Sequence, residues 1–321
     1  MKKRILALLL AALLVPALAA CGEKASVEAA AGETTAEEAA PKGPAMQTLT
    51  NDGMNLLIPE EYKDILTVET PAVSGEGDLF LVSETASVEA GKKQGHDASY
   101  GDGWLFGIRR VSEEEMKQMR CGDHSGSEFF AKDANGSYYV YTHPTDVRIA
   151  REGEITEKDM EQWGTLNEWA GSAVRDTFLA ENAGLERVSF GNSEMDVVFA
   201  RIAFQKDLKY MISTLEYGPL EPKDVDPAPY LEKLMSGVAY EYSDEEAPDG
   251  EYVVLTFPEE GVRYDFFIGD SEKNLVRRVY DDTTIDPLLY KATFADGTTK
   301  ITEVMQDWYN ALAAANGKTA N

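Results

Sequence analysis

The chain has 321 residues, of which 57 are acidic and 30 are basic, and its formal net charge is −27. The length suggests about two domains, and a hydrophobic content of 43% is enough for packed cores, which excludes a wholly disordered chain. The negative charge argues against a nucleic-acid partner, because phosphate backbones repel such a surface. It also disfavours direct binding to anionic lipid or wall polymer without a bridging cation.

The N-terminus carries a targeting signal. Lys2 to Arg4 are positive, Ile5 to Leu14 form an apolar run too short for a stable membrane anchor, and residues 18–21 read LAAC. This ending resembles the lipobox of bacterial lipoproteins. The resemblance implies cleavage before Cys21, a diacylglyceryl group on its thiol, and a lipid-anchored protein on the extracytoplasmic face of the cell membrane. An ordinary secretory signal followed by a chance cysteine is the alternative.

We therefore assign residues 1–20 to a signal peptide and residues 21–46 to the lipidated cysteine and a disordered acidic tether. The tether is rich in Ala, Glu, Thr, Gly and Pro and has no aromatic residue, so it cannot bury enough apolar area to offset the entropy of ordering. With Cys21 acylated, Cys121 is the only remaining thiol, which rules out an intramolecular disulfide.

Residues 47–191 form the first predicted domain. Ser112 and Glu115 make a capping box at the start of a short helix, and Asn135-Gly136 favours a tight hairpin turn. A stripe from Met160 to Phe178 at three- and four-residue steps predicts a helix over about 157–182. Predicted strands cover Met54–Pro59, Asp78–Ser83, Trp104–Val111, Phe129–Lys132 and Tyr138–Thr142. The stretch around the first strand, Gly53 to Tyr62, resembles the first strand of secreted α+β lipoproteins of unknown function.

Residues 192–321 form the second predicted domain. Met195 to Ile202, Pro227 to Met235 and about 302–315 have helical patterns. Predicted strands cover 208–217, 251–257, 262–268, 275–280 and 289–295. The fold class is thus α+β, with two domains that each consist of a mainly antiparallel sheet packed with one or two helices.

The two halves share a pattern that suggests duplication. Gly136 to Pro144 and Gly250 to Pro258 both read Gly-x-Tyr-x-Val-x-Thr-x-Pro, and each is followed later by a helix with a tryptophan, Trp163 or Trp308. One interpretation is a tandem of two related α+β domains. The other is convergence on common strand and turn chemistry, and the sequence does not separate the two.

The sequence offers few candidates for chemistry. Cys121 and His124 lie close enough in sequence to form a nucleophilic pair, and His143 is an alternative base. A zinc site would need a second pair of ligands, which the sequence lacks at usable spacing. His143 and Asp146 follow a predicted strand, where functional loops often lie, but Phe257 takes the place of His143 in the matching segment, which favours a structural role. We predict no catalytic residue, and Cys121 is interpreted as a small buried hydrophobe.

Asp97 and Asp102 lie in a polar, glycine-rich loop that could bind Ca²⁺ together with backbone carbonyls. The loop does not fit the EF-hand spacing, and a solvated loop is the simpler interpretation. No cofactor is predicted.

Three functions follow from these features. The first is a non-catalytic binding or scaffold lipoprotein whose ligand is a protein, a peptide or a small molecule. The second is an envelope hydrolase that uses Cys121 with His124 or His143. The third is an adhesion or sensing module that depends on divalent cations, which the high negative charge motivates.

Overall fold

The structure is a computed structural model that describes residues 45–72, 75–96, 100–214, 218–222, 225–268 and 271–318. The predicted signal peptide, Cys21 and Asp97 lie outside the described residues. The described residues belong to one compact unit. In the described part of the chain, no helix combines the length and the apolar character needed to cross a membrane.

A hairpin of β1 (Met46–Asn51) and β2 (Met54–Pro59) opens the fold. Over the described residues, the first half of the chain then forms an antiparallel sheet of six strands. These strands are β3 (Leu66–Glu69), β4 (Gly77–Glu84), β5 (Trp104–Val111), β6 (Ser127–Lys132), β7 (Tyr138–Thr142) and β8 (Glu186–Arg187). Their order across the sheet is β3-β4-β5-β7-β6-β8.

The second half forms another antiparallel sheet, again of six strands when the described residues are counted. These are β9 (Met211–Thr214), β10 (Val238–Tyr242), β11 (Tyr252–Phe257), β12 (Val262–Phe267), β13 (Leu275–Tyr280) and β14 (Leu288–Phe294). Their order is β10-β14-β13-β12-β11-β9, so β10 and β9 are the two edges.

The described helices are α1 (Thr85–Lys93), α2 (Glu113–Arg120), α3 (Glu157–Glu181), α4 (Glu194–Phe204), α5 (Ala228–Met235) and α6 (Ile301–Ala315), with short 3-10 turns at Glu60–Tyr62 and Ser271–Lys273. Each sheet has its own core. α3 buries Trp163, Leu166, Ala170, Val174 and Phe178 against the first sheet. In the second core Trp308 of α6 is fully buried and stacks on Tyr230 of α5 at 5.6 Å between ring centres.

Local sequence signals explain how several helices begin. The side chain of Ser112 accepts a hydrogen bond from the backbone of Glu115 and so caps α2. Ser193 and Asp196 form a reciprocal capping box at the start of α4, which satisfies backbone donors that a helix end leaves free. These caps fix where α2 and α4 start, and the two helices pack against each other.

A buried ion pair joins β4 to α3 and to the connection that precedes it. Glu84 is fully buried, and its two carboxylate oxygens accept hydrogen bonds from the two terminal nitrogens of Arg151, each at 2.8 Å. Gln162 donates to the same carboxylate at 2.7 Å. Buried charges of this kind are kept only when they are paired and hydrogen-bonded, as Glu84 is.

The predicted α+β class is confirmed, since both sheets are antiparallel and both are packed with helices. The predicted domain boundary at residue 191 falls between β8 and α4. The predicted helix over 157–182 corresponds to α3, although Met160, in its first turn, is 48% exposed and Leu166 lies in the buried stripe instead. The sequence patterns missed β1, β3, β8, β10 and α1.

The two segments that share the Gly-x-Tyr-x-Val pattern become β7 and β11. β7 pairs with β5 and β6, which both precede it in the chain. β11 pairs with β9, which precedes it, and with β12, which follows it. Trp163 and Trp308 are both buried. The different connectivity around the matched strands favours convergence over duplication.

Candidate functional site

A mostly apolar depression lies where α2, α4 and α5 approach one another. α2 packs against α4, and α4 packs against α5. Between them is a groove of about 660 Å³ whose wall is mostly apolar. We call it the Arg120 groove, after the one arginine in its wall. The apolar residues that line it include Phe190, Ala203, Phe204, Pro227, Leu231 and Met235.

Arg120 is placed by α2, of which it is the last residue. Met116, one turn earlier, is buried in a small cluster with Val111 and Phe129, so this helix has a fixed orientation on the first sheet. α4 turns Val198, Phe199 and Ile202 into the core of the second sheet. This leaves Phe204, at the end of α4, half-buried against the groove.

The side chain of Arg120 is buried among apolar groups. Only 5% of the residue is exposed. Its guanidinium carbon lies 4.1 Å from the centre of the Phe190 ring and 5.7 Å from that of Phe204. One terminal nitrogen donates to the sulfur of Met235 at 3.8 Å, which is a weak acceptor. Among the described residues, no carboxylate forms an ion pair or hydrogen bond with Arg120.

This environment is unusual for a cation. Burial lowers the pKa of Arg120, while the nearby Asp196 opposes that shift. An arginine still remains protonated at neutral pH. Cation–π contact with Phe190 recovers part of the lost hydration, but a buried charge is normally paired with an anion. The groove therefore presents a cation whose hydrogen-bonding capacity is largely unused by this chain.

Asp196 is not the anionic partner of Arg120. One of its carboxylate oxygens is committed to the cap of α4, where it accepts from the backbone of Ser193 at 3.0 Å and from its hydroxyl at 2.5 Å. The other oxygen is buried without a partner among the described atoms. Burial raises the pKa of Asp196, which favours its neutral form. Asp196 thus acts on Arg120 only at a distance.

The mouth of the groove has the opposite charge to its base. Asp226 and Glu232 line the groove and are exposed. The backbone of Ala228 donates to Asp226 at 3.0 Å, so this carboxylate is fixed in its turn. A bound molecule would meet a cation at the base and carboxylates at the mouth. The arrangement favours an anionic group that points inward and a neutral or basic group that points outward.

Cys121 and His124 lie in the turn between α2 and β6, just after Arg120, but their hydrogen bonds are with the backbone. The thiol of Cys121 donates to the carbonyl of Ala200 at 3.6 Å, and burial raises its pKa. His124 is buried, with Nδ1 at 3.0 Å from the carbonyl oxygen of Gly122. A raised pKa disfavours the thiolate that a cysteine nucleophile needs.

His143 and Asp146 follow β7, as predicted, and lie in different surroundings. His143 lines a small cavity of about 180 Å³ together with Glu128 and Arg175. Its Nε2 is 3.8 Å from a carboxylate oxygen of Glu128, beyond hydrogen-bond length, and Arg175 forms the direct ion pair with that carboxylate. Asp146 pairs instead with Arg148 at 2.6 Å.

The predicted calcium loop is described in part. A carboxylate oxygen of Asp102 accepts a hydrogen bond from Nδ1 of His96 at 2.8 Å. Asp97 lies outside the described residues. Within the part of the chain that the structure describes, no three His, Cys, Asp or Glu side chains come together as a metal site would require.

The sequence interpretation missed Arg120, although it singled out the neighbouring Cys121. The capping box at Ser112 predicted α2, and the helix ends at Arg120. The aromatic partners Phe190 and Phe204 are far away in sequence, so no local pattern indicates that they stack on this arginine. A single arginine at the end of a short amphipathic helix more often faces solvent.

Comparisons of the sequence and structure with known proteins give no relative: no family model, no curated protein and no solved structure matches this chain.

Proposed function

We propose that this chain is a lipid-anchored extracytoplasmic lipoprotein that binds a ligand without catalysing a reaction, and that the Arg120 groove is its binding site. The ligand combines an apolar part with one carboxylate. The observation that carries this proposal is the arginine itself, which is 5% exposed and has no carboxylate partner among the described residues. The anchor rests on the lipobox-like ending at Cys21.

The size and lining of the groove suit such a ligand. Its volume of about 660 Å³ lies within the roughly 300–1,000 Å³ typical of small-molecule pockets. Those pockets are mainly apolar, with a few polar groups that fix orientation. Here Phe204, Leu231 and Met235 would contact the apolar part, and Arg120 would donate to the carboxylate, for which its planar fork of donors is suited.

The two other functions suggested by the sequence have less support. An envelope hydrolase needs a thiolate at Cys121, but burial raises the pKa of that thiol. The thiol also donates its hydrogen to the backbone carbonyl of Ala200. A cation-dependent module needs several oxygen ligands at one point. Of its two predicted ligands, Asp102 is paired with His96 and Asp97 lies outside the described residues.

The test compares two probes of nearly equal shape, octanoate and octanamide. The protein is the mature chain from residue 21 with Cys21→Ser, which prevents acylation; we call it the soluble mature chain. Calorimetry should show octanoate binding more tightly than octanamide. Arg120→Gln should weaken octanoate by about 10- to 100-fold, the value of one or two charge-assisted hydrogen bonds, and leave octanamide unchanged.

Two controls separate the contributions. Phe204→Ala removes apolar contact area, so it should weaken both probes by similar factors. Arg187→Gln removes a guanidinium that is 61% exposed at its side chain and pairs with Asp176 on the surface, so it should change neither. Equal affinity of octanoate for the native chain and for Arg120→Gln would refute the proposed site.

A further inference from the structure

The strand that directly follows the groove-lining residues Ser236 and Gly237 lies at an open edge of the second sheet. β10 (Val238–Tyr242) pairs with β14 on one side, and no described strand pairs with its other side. The opposite edge of the same sheet, β9, is covered: Ile212 and Leu220 exchange two backbone hydrogen bonds at 3.0 and 2.9 Å. An uncovered edge strand is a template for the addition of another strand.

Hydrogen bonds at the two ends of β10 show which of its backbone groups are free. The carbonyl of Gly237 accepts a hydrogen bond from the N–H of Ala295 at 2.7 Å, and the N–H of Ser243 donates to the carbonyl of Leu289 at 2.9 Å. The backbone N–H and C=O groups of the odd-numbered residues therefore face β14. Both backbone groups of one residue in an antiparallel ladder point to the same side, and the side alternates along the strand. The N–H and C=O groups of Val238, Tyr240 and Tyr242 therefore point to the open side.

The edge and the groove are continuous. Ser236 and Gly237, which directly precede β10, line the groove together with Arg120. A strand added antiparallel to β10 would run from Tyr242 towards Val238. Its C-terminal end would therefore arrive at the groove, where the cation lies.

We propose that the Arg120 groove and β10 together bind the C-terminal segment of a partner polypeptide. This inference rests on the proposed function and names the ligand class. The terminal carboxylate contacts Arg120, the last side chain is apolar and fills the groove, and the preceding residues pair with β10. Capture of a C-terminus and addition of a strand to a sheet edge are both established modes of peptide recognition.

Charge on the surface selects the upstream part of the peptide. Glu241 is exposed on β10, and Asp226 and Glu232 are exposed at the groove mouth. The whole chain is strongly acidic, with a net charge of −27. A segment with lysine or arginine upstream of its apolar end is therefore attracted, whereas an acidic tail is repelled.

The first experiment uses a pool of acetylated hexapeptides with two N-terminal lysines and four randomised positions, prepared once with free C-terminal carboxylates and once as C-terminal amides. The soluble mature chain is the bait. We expect retained peptides to come from the acid pool and to end in an apolar residue. Arg120→Gln should abolish that preference. No enrichment in the acid pool, or equal enrichment of both pools, overturns the inference.

The second experiment tests strand pairing on the tightest peptide. Each backbone amide is N-methylated in turn. A peptide strand paired with β10 should lose affinity by about tenfold or more at alternate positions, where an N–H donor is removed and a methyl group enters the ladder, and by much less at the positions between. Losses without this alternation contradict pairing with an edge strand.

A matched pair of variants tests the same point from the protein side. Tyr242 is 63% exposed, and its N–H faces the open edge. Tyr242→Pro removes that N–H at an edge position where proline is tolerated, and Tyr242→Val keeps it. Peptide affinity should fall more for proline than for valine. Equal affinities of the two variants would show that this N–H is not used.

Failure of this inference is distinguishable from failure of the proposed function. If octanoate binding depends on Arg120 while the peptide results are negative, the groove takes small carboxylates and the peptide inference is wrong. If octanoate binding is independent of Arg120, the proposed function itself is wrong. A dimer that forms with concentration and is broken by Tyr242→Pro would show that the edge is occupied by a second copy of the chain, which also overturns the peptide inference.

Discussion

The guanidinium carbon of Arg120 lies 4.1 Å from the centre of the Phe190 ring. This contact joins the last residue of α2 to the segment between β8 and α4, where the chain passes from the first sheet to the second. The ring stabilises the cation through its negative face without occupying the donors at the edge of the guanidinium. Arg120 is thus held in place, and its one hydrogen bond among the described residues is the weak one to the sulfur of Met235, so most of its donors remain available to an anion.

The first prediction concerns the stability of the free protein. Arg120→Met replaces a buried cation that lacks an anionic partner with an apolar side chain of similar length. Replacing buried charges by well-packed apolar groups is often neutral or stabilising by about 1–4 kcal/mol. We expect urea denaturation of the soluble mature chain to give an unchanged or higher free energy of unfolding, while calorimetry shows that carboxylate binding is lost.

Such a trade-off between stability and binding is typical of residues kept for function. The exposed control Arg187→Gln should change neither quantity. A loss of more than about 2 kcal/mol in Arg120→Met, in the range of defects in packed cores, would instead identify Arg120 as a residue that holds the two sheets together.

The second prediction concerns the buried ion pair of the first sheet. Glu84 is fully buried and its carboxylate is held by both terminal nitrogens of Arg151. Arg151→Met leaves that carboxylate without its cation. We expect the free energy of unfolding to fall by about 3–5 kcal/mol, as when one partner of a buried pair is removed. Urea denaturation measures the change.

The neighbouring residue provides a matched control. Glu152 pairs with Lys93, and both side chains are more than half exposed. Glu152→Gln should alter stability by less than about 1 kcal/mol, the usual limit for surface ion pairs. Similar losses in Arg151→Met and Glu152→Gln would contradict the distinction between the buried and the exposed pair.

The third prediction concerns Cys121, the only thiol in the soluble mature chain. Burial raises its pKa, and the two arginines near it, Arg120 and Arg201, oppose that shift only in part. Alkylation by iodoacetamide proceeds through the thiolate. We therefore expect slow labelling of the folded protein at pH about 8, near the ordinary cysteine pKa, and faster labelling in urea.

Cys121→Ala should leave octanoate binding unchanged, since the thiol faces the carbonyl of Ala200. Labelling of the folded protein as fast as that of the unfolded chain would indicate an accessible, activated thiol. That result would return the hydrolase hypothesis to consideration.

Most helices and central strands were predictable because their signals are local. The helix cap at Ser112, the hairpin turn at Asn135-Gly136 and the apolar stripe of α3 each depend on residues within one or a few turns of chain, although Glu115 pairs with Arg109 and so does not complete the predicted capping box. β10 was missed because it has only five residues and only one of its side chains, Tyr240, is well buried, so its alternation is a weak signal.

The candidate site was not predictable for a different reason. Arg120, Phe190, Phe204 and Met235 come from four separate segments, and only the packing of α2, α4 and α5 brings them together. Sequence reasoning named Cys121 and His124 as candidates because thiol and imidazole have recognisable chemistry, although it predicted no catalytic residue. In the structure both side chains hydrogen-bond to the backbone, whereas the charge that lacks a partner belongs to Arg120, the residue before Cys121.

The fourth prediction concerns acid stability at the turn before α6. Asp296 accepts hydrogen bonds from the backbone of Thr298 and Thr299, each at 2.9 Å, and from the hydroxyl of Thr299 at 2.6 Å. These donors favour the carboxylate and lower the pKa of Asp296 to about 2. A carboxyl in an unfolded chain has a pKa of about 3.9. The folded state therefore binds fewer protons, so its stability rises with pH in this window.

We expect Asp296→Asn to lower the urea midpoint by a constant amount above pH about 5, where the carboxyl is ionised in both states. The difference between the native chain and the variant should shrink as the pH falls through about 4 towards 2, because protonation removes the preference of the turn for the charged form. Thr299→Ala keeps the carboxylate but deletes one donor, so the pKa of Asp296, followed by NMR, should move back towards its ordinary value. A midpoint difference that does not change with pH would show that the turn is stabilised by the shape of the side chain alone, without a contribution from its charge.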